Sequence, residues 1–212
     1  MTRSILLTWI LAVLVCASAP GQTPVSPPQL VLENDTVRVS KITLPAHGHF
    51  TFDEKADAVM VRLSDESGQF MAGGHIAVDN STDLDATDIL ISLKNHWDAE
   101  VRPCSFPREC TRETQMGGQA IAQTTTLFTN GFVTAAVHRL VPGGTLDSSY
   151  YTAKGSDRIV VIPFTALDAS FDGTPVNLKS GDPYFSSATQ VEVTARDHEA
   201  RWFVLRLNLP KP

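Results

Sequence analysis

Short runs in which apolar and polar residues alternate recur along the chain and predict β-strands. The clearest are Ala58–Leu63, Asp88–Leu93 and Ile159–Phe164. Stretches with helical periodicity are scarce, and turn residues return about every ten residues. The pattern therefore predicts an all-β protein of many short strands. A helical turn is favoured only at Asp85–Asp88 and Thr165–Asp172.

The chain contains two similar halves. In Leu32–Asp65 a strand is followed by a proline turn, a short crossing that carries histidines, and a second strand. A weaker copy starts near Thr129. Two such units predict two β-barrels or jelly rolls, facing each other or packed edge to edge. We place the first barrel at residues 31–96 and the second at residues 124–212, with an irregular connector at residues 97–123.

The N-terminal segment has the pattern of a secretory signal peptide. Arg3 is followed by the apolar run Ile5–Val15, which is too short for a comfortable membrane span, and then by small residues. We predict a signal peptide at residues 1–21, cleaved within residues 18–22, and a proline-rich lead-in at residues 22–30. The mature protein is then exported to the periplasm or the extracellular medium and has no membrane span; an uncleaved anchor is the alternative.

The composition is typical of a globular protein, and the charge excludes one class of partner. Of the 212 residues, 42% are hydrophobic and 19% are charged, which is unlike a disordered chain. The net charge of −6, without a cluster of Lys or Arg, argues against a nucleic-acid partner.

Two cysteines remain once the signal peptide is removed. Cys104 and Cys110 are six positions apart, and in an oxidising compartment such a pair predicts a disulfide. A zinc site is disfavoured because no second pair of Cys or His stands at ligand spacing.

Each half resembles a cupin. The family pattern is a strand, PG, an HxHx(3,4)E crossing, a second strand, a turn of the type LKPGD, and PAGxPHxxxN. Val37–Leu63 is similar to the first part, and Met71–Asn80, MAGGHIAVDN, to the last. In the second half, VPGG at Val141–Gly144 and LKSGD at Leu178–Asp182 match the turns. The resemblance covers nearly all of the mature chain and implies two tandem cupin-like barrels.

In the second half the resemblance implies a barrel without a metal. A cupin metal site gathers several imidazoles and usually one carboxylate inside the barrel. No histidine lies between His138 and His198. Tyr150 and Tyr151 stand near the HxH positions, and Val191 stands where the final histidine falls.

The first half contains the residue types of a metal-binding motif, but at shifted positions. His47, His49 and Glu54 spell HxHx(4)E, but counting back from the Ala58–Leu63 strand puts the ligand positions several residues later. A gap-free match also puts Ile76, not His75, in the last ligand position. Because a one-residue slip turns a side chain to the other face of a strand, we favour no metal. The alternative is a divalent Fe, Mn or Zn held by His47, His49, Glu54 and His75.

Two function classes remain. The favoured one is an exported, non-enzymatic bicupin-like protein that serves as a structural module or binds a small polar ligand such as a sugar. We predict no catalytic residue, and the candidates for lining a ligand cavity are Tyr150, Tyr151, Tyr184 and Phe185. The alternative is a metal-dependent dioxygenase or isomerase that uses the first barrel.

Two further features of the sequence suggest other roles. Asp53, Glu54 and Asp57 form a carboxylate group that is suited to acid–base chemistry but is more typical of a solvated edge. A third hypothesis is a homodimer formed through a barrel edge.

Overall fold

The computed structural model describes residues 26–94, 102–104, 110–129, 132–147, 157–188 and 190–208. These residues form the strands β1 Gln29–Glu33, β2 Val37–Leu44, β3 His49–Glu54, β4 Ala58–Arg62, β5 Ser67–Met71, β6 Gly74–Asp79, β7 Ala86–Leu93, β8 Arg102–Pro103, β9 Thr111–Met116, β10 Gln119–Thr129, β11 Val133–Leu140, β12 Thr145–Leu146, β13 Asp157–Pro163, β14 Leu167–Phe171, β15 Thr174–Leu178, β16 Tyr184–Ser186, β17 Val191–Thr194 and β18 Ala200–Asn208. The all-β prediction is confirmed. The predicted signal peptide, Tyr150 and Tyr151 lie outside the described residues.

The same strand order occurs in both halves. The first half has a sheet β1-β2-β7-β4-β5 and a two-stranded sheet β3-β6. The second half has β10-β11-β18-β13-β16 within a larger sheet, and a second sheet β12-β17-β14-β15. In each half the second strand in this order therefore pairs with the last strand of that half, β2 with β7 and β11 with β18, as the duplication in sequence suggests.

Both favoured helical turns are wrong. Residues 86–93 form β7, which pairs with β2 on one side and β4 on the other. Residues 167–171 form β14, in which buried positions alternate with half-buried ones. Tertiary pairing decides both cases. Each segment pairs with a strand on either side and buries apolar residues that a single helical turn would leave exposed.

Three segments that the apolar pattern did not predict as strands form strands. β9 and β10 form a hairpin inside the predicted connector, turning at Gly117 and Gly118, whose φ angles are +60° and +82°. β1 begins at Gln29, within the predicted lead-in, and the crossing after Pro45 is β3. β9 has the sequence TRETQM, whose positions are half-buried or exposed, so it carries no apolar alternation to reveal it.

The two halves pack face to face across a shared apolar cluster. Val39, Val61 and Ile89 contribute from the first half, and Phe203 and Leu205 from the second. Each half also has an apolar interior of its own on the opposite face of the same strands. Each main sheet is therefore buried on both sides, and the alternation of side chains decides which core a residue enters.

Polar contacts join the same two halves at the rim of this interface. The Nζ of Lys41 lies 3.1 Å from Oδ1 of Asp182, the last residue of the predicted LKSGD turn. The Nη1 of Arg158 donates to Oδ1 of Asp35 at 2.9 Å. Within the described ranges, no helix has the length and apolar character needed to span a bilayer.

Candidate functional site

The interior of the first half is apolar where a cupin metal would lie. Phe50 and Phe52 of β3 pack inward beside Ile76 and Val78 of β6. The two phenyl rings stack with centroids 5.5 Å apart. Ile76 is 3% exposed, and it is the residue that the gap-free alignment puts in the last ligand position. These side chains cannot ligate a metal.

Two histidines of the first half, His49 and His75, lie on the outer face of β3 and β6. His49 stands opposite Asp79, and Asp53 opposite His75. His49 hydrogen-bonds to Asp79 through Nδ1, and the Nδ1 of His75 lies 3.0 Å from Oδ1 of Asp53. The side chains of His49 and His75 are 57% and 68% exposed. Each imidazole thus has its own carboxylate in solvent.

The remaining two members of the alternative metal set lie elsewhere. His47, in the turn after Pro45, places its Nε2 2.9 Å from Oδ1 of Asp83. Glu54 accepts a hydrogen bond from the hydroxyl of Ser92 at 2.6 Å. The structure therefore does not bring His47, His49, Glu54 and His75 together. In the part of the chain that the structure describes, no group of three or more His, Cys, Asp or Glu is arranged to hold a metal ion.

The carboxylates of the β3–β4 turn also point apart. Asp53 contacts His75, Glu54 contacts Ser92, and Oδ1 of Asp57 accepts a hydrogen bond from the backbone N–H of Gly73 at 3.1 Å. Acid–base catalysis requires groups that converge on one reacting atom. This arrangement does not supply them.

Tyr184 and Phe185 project from opposite faces of β16. The Tyr184 ring packs against Phe171 with centroids 4.5 Å apart, on the side of the second-half interior. Phe185 packs against the cluster shared between the halves. The two side chains therefore do not line one cavity.

A polar cavity of about 320 Å³ lies on the inner face of the second half. Its volume is at the lower end of the range of small-molecule sites, about 300–1,000 Å³. Four strands line it, and they contribute threonines, two arginines, one histidine and two small apolar residues. These residues are Arg112, Thr124, Thr126, Thr129, Thr134, Ala136, His138, Val204 and Arg206.

Strand register arranges these side chains in rows across β10, β11 and β18. Thr124 faces His138, which faces Trp202; Thr126 faces Ala136, which faces Val204. Since neighbouring strands stand about 4.8 Å apart, each row is a continuous strip of surface.

A third row is completed by a β-bulge. The register shifts between Thr126 and Phe128, and Thr129 then pairs with Thr134, which faces Arg206. Leu127 and Phe128 both pack toward the other half. The extra residue thus returns Thr129 to the inner face, as bulges re-aim side chains elsewhere.

His138 forms the buried wall of the cavity. It is 2% exposed, and its Nδ1 lies 2.9 Å from the hydroxyl oxygen of Thr124. Burial lowers the pKa of His138 from 6.5 to about 3, because an apolar environment disfavours the charged imidazole. The wall is therefore neutral at physiological pH.

Sequence reasoning missed this site, although a signal was present. In β11 the inward positions are Thr134, Ala136 and His138, between residues that face the other core. The run Thr124–Thr126 precedes them on β10. Small and polar residues at the inward positions of two paired strands indicate an unfilled interior, since large apolar side chains would have closed it.

Comparisons with known proteins address the fold. No protein-family model matches the sequence, and no curated protein matches it. Among solved structures, the chain is similar to AerE from Microcystis aeruginosa, with 7% identity and a TM-score of 0.55, covering 86% of this chain and 98% of that one.

Two further solved structures are similar. Salicylate 1,2-dioxygenase from Pseudoaminobacter salicylatoxidans has 11% identity and a TM-score of 0.51, covering 81% and 68% of the two chains. A cupin 2 conserved barrel domain protein from Leptotrichia buccalis has 10% identity and a TM-score of 0.47, covering 89% and 91%. At these identities the likeness concerns the fold alone. The chain has a cupin-like, jelly-roll fold, as the sequence motifs predicted.

Proposed function

We propose that this protein is an exported, non-enzymatic bicupin-like protein that binds a small polar ligand without a metal. The observation that carries the proposal is the cavity on the inner face of the second half. It offers threonine hydroxyls, a buried imidazole and two guanidinium groups around a space of about 320 Å³. Ligand sites typically combine an enclosed volume with a few convergent polar groups.

The proposal includes no metal because of the direction in which the side chains of both halves point. In the first half Phe50, Phe52 and Ile76 occupy the interior, and His49 and His75 face solvent. In the second half Val191 is buried in the interior cluster at the place of the final histidine. The residues that fill both interiors are therefore those of a packed barrel rather than a metal centre.

None of the described residues that line the cavity is suited to acid–base catalysis near neutral pH. A general base works best when its pKa lies near the working pH. Burial lowers the pKa of His138 to about 3, so this imidazole takes up a proton only in strong acid. Binding, through hydrogen bonds to a neutral wall, suits such a group better than proton transfer.

Export is supported by two features. The N-terminal pattern is that of a signal peptide, and the predicted disulfide is present, with the Cα atoms of Cys104 and Cys110 6.0 Å apart. Disulfides persist mainly in oxidising compartments.

Calorimetric titration with a panel of sugars, amino acids and small organic acids tests the proposed function. We expect at least one compound to bind the wild type and to lose affinity on Thr126→Val, which removes a hydroxyl from the cavity at nearly constant volume. Thr51→Val, on the exposed outer face of β3, is the matched control and should bind normally. Binding that is abolished by a chelator and unchanged by Thr126→Val would contradict the proposal.

A further inference from the structure

The charged residues of the cavity all carry the same sign. Arg112 and Arg206 line it, and none of the lining residues in the described chain is Asp or Glu. The protein as a whole has a net charge of −6, so the two arginines give this cavity a charge opposite in sign to that of the whole chain. A cleft lined by one sign of charge attracts ligands of the opposite sign.

The two arginines stand at diagonal corners of the cavity. Arg112 of β9 pairs with Thr124, at the end of the row that contains His138. Arg206 of β18 lies in the row of Thr129 and Thr134. From standard strand geometry, the two Cα positions are separated by about 14 Å across the strands and about 13 Å along them.

The surface between these corners alternates in polarity. The middle row consists of Thr126, Ala136 and Val204, so its floor combines one threonine side chain with a methyl group and an isopropyl group. Threonine hydroxyls flank this floor at Thr124 and Thr134. An aliphatic segment fits the floor, and oxygen atoms at the ends of a ligand reach the hydroxyls and the guanidinium groups.

We propose that the cavity binds a short-chain aliphatic dicarboxylate, with one carboxylate at Arg112 and the other at Arg206. Guanidinium groups bind carboxylates through paired, charge-assisted hydrogen bonds, and the diagonal placement selects a ligand with two anionic ends. His138 adds a neutral hydrogen-bonding wall and no charge. This inference rests on the proposed function and names its ligand class.

Calorimetric titration of the full chain with glutarate tests the inference. Three comparison ligands share parts of its chemistry: butyrate has one carboxylate, glutaramide has the same length without charge, and glucose is a neutral polyol. We expect glutarate to bind more tightly than any of the three by about tenfold or more. Its affinity should also fall with added salt.

Variants locate the two ends of the ligand. Arg112→Gln and Arg206→Gln should each weaken glutarate binding by about tenfold or more. Arg139→Gln is the matched control, because Arg139 is exposed and pairs with Glu199 away from the cavity; it should bind like the wild type. Circular dichroism verifies folding, and Arg206→Lys, which keeps the charge, replaces Arg206→Gln if the latter does not fold.

The outcomes separate this inference from the proposed function. Equal binding of glutarate and butyrate, or no glutarate binding, overturns the dicarboxylate. If glucose or glutaramide binds instead and Thr126→Val abolishes it, the inference fails and the proposed function stands. The fluorescence of Trp202 reports whether the ligand binds in the cavity, since Trp202 stacks on the cavity residue His138. In a Trp9→Phe/Trp97→Phe background its emission should change on binding.

Discussion

The imidazole of His138 stacks on the indole of Trp202, with ring centroids 5.2 Å apart and planes inclined by 15°. The two residues face each other on β11 and β18, and Trp202 is fully buried. Trp202 belongs to the apolar interior of the second half, whereas His138 lines the polar cavity. The stack therefore joins the packed and the open parts of this interior and fixes the ring of His138.

Stability should fall in mild acid because of His138. The folded protein binds a proton at His138 only near pH 3, whereas the unfolded chain binds one near pH 6.5. Between these values the unfolded state holds more protons, so stability rises with pH across the window and is lost as pH falls. The full effect is on the order of 5 kcal/mol.

Urea denaturation at pH 7, 5 and 4 measures this loss, which His138→Gln should remove. His198→Gln is the control, because His198 is exposed and its pKa is raised, chiefly by the hydrogen bond to Asp197. That variant should keep the acid-induced loss. Equal pH slopes for the wild type and His138→Gln would be inconsistent with a neutral buried imidazole.

Asp88→Asn should stabilise the protein at neutral pH. Asp88 is buried, and burial raises the pKa of its carboxyl despite Arg62, whose Nε lies 3.9 Å from Oδ2. A raised folded-state pKa means that stability is lost as pH rises through it, and asparagine removes that loss.

Denaturation at pH 7 and pH 3 measures the gain in stability of Asp88→Asn, which should shrink in acid. Asp83→Asn, an exposed substitution, is the control, and destabilisation by Asp88→Asn at pH 7 would show that the Arg62 pair dominates.

Phe203→Ala should destabilise both halves together. Phe203 is fully buried in the shared cluster, and a Cβ built on Gly68 of the first half would come within 2.6 Å of its ring. Truncating such a phenylalanine costs about 3–5 kcal/mol. Calorimetry should show one transition shifted to lower temperature, and Phe50→Ala, at a half-buried position within the first half, should cost less. Two transitions, of which only one shifts, would contradict the shared core.

Reduction of the disulfide should cost a modest amount of stability. The bridge joins Cys104 and Cys110 across a sequence separation of 6, and a loop this short gives about 2 kcal/mol in the chain-entropy account. Cys104→Ser/Cys110→Ser should lose this amount in denaturant unfolding. Thiol titration of the denatured wild type should detect no reactive thiol from this pair; two reactive thiols would disprove the bridge.

The sequence predicted the strands that carry apolar alternation, and it left a metal site in the first half open as an alternative. The segment AVMVRL is β4, and VEVT is β17, because their side chains fill cores. His47, His49 and Glu54 have the right letters, yet the alternation of a strand sends Phe50 and Phe52 inward and His49 outward. Only the pairing partner of a strand fixes that choice.

The polar cavity in the second half was harder to predict than the strands, because it depends on how the strands pair. Its threonines and His138 come from two paired strands whose register depends on a bulge after Thr126. Neither register nor bulge is encoded in a local pattern. Arg112 lies on β9, a strand without apolar periodicity, so nothing in the sequence placed it in the same cavity as Arg206.

We propose above that this cupin-like protein binds its ligand without a metal. Elemental analysis of the protein, purified after expression with added iron, manganese and zinc, tests it most directly, with His49→Ala measured in parallel. We predict no stoichiometric metal in either protein and equal ligand binding by both. Stoichiometric iron, manganese or zinc in the wild type that is lost on His49→Ala would contradict the account.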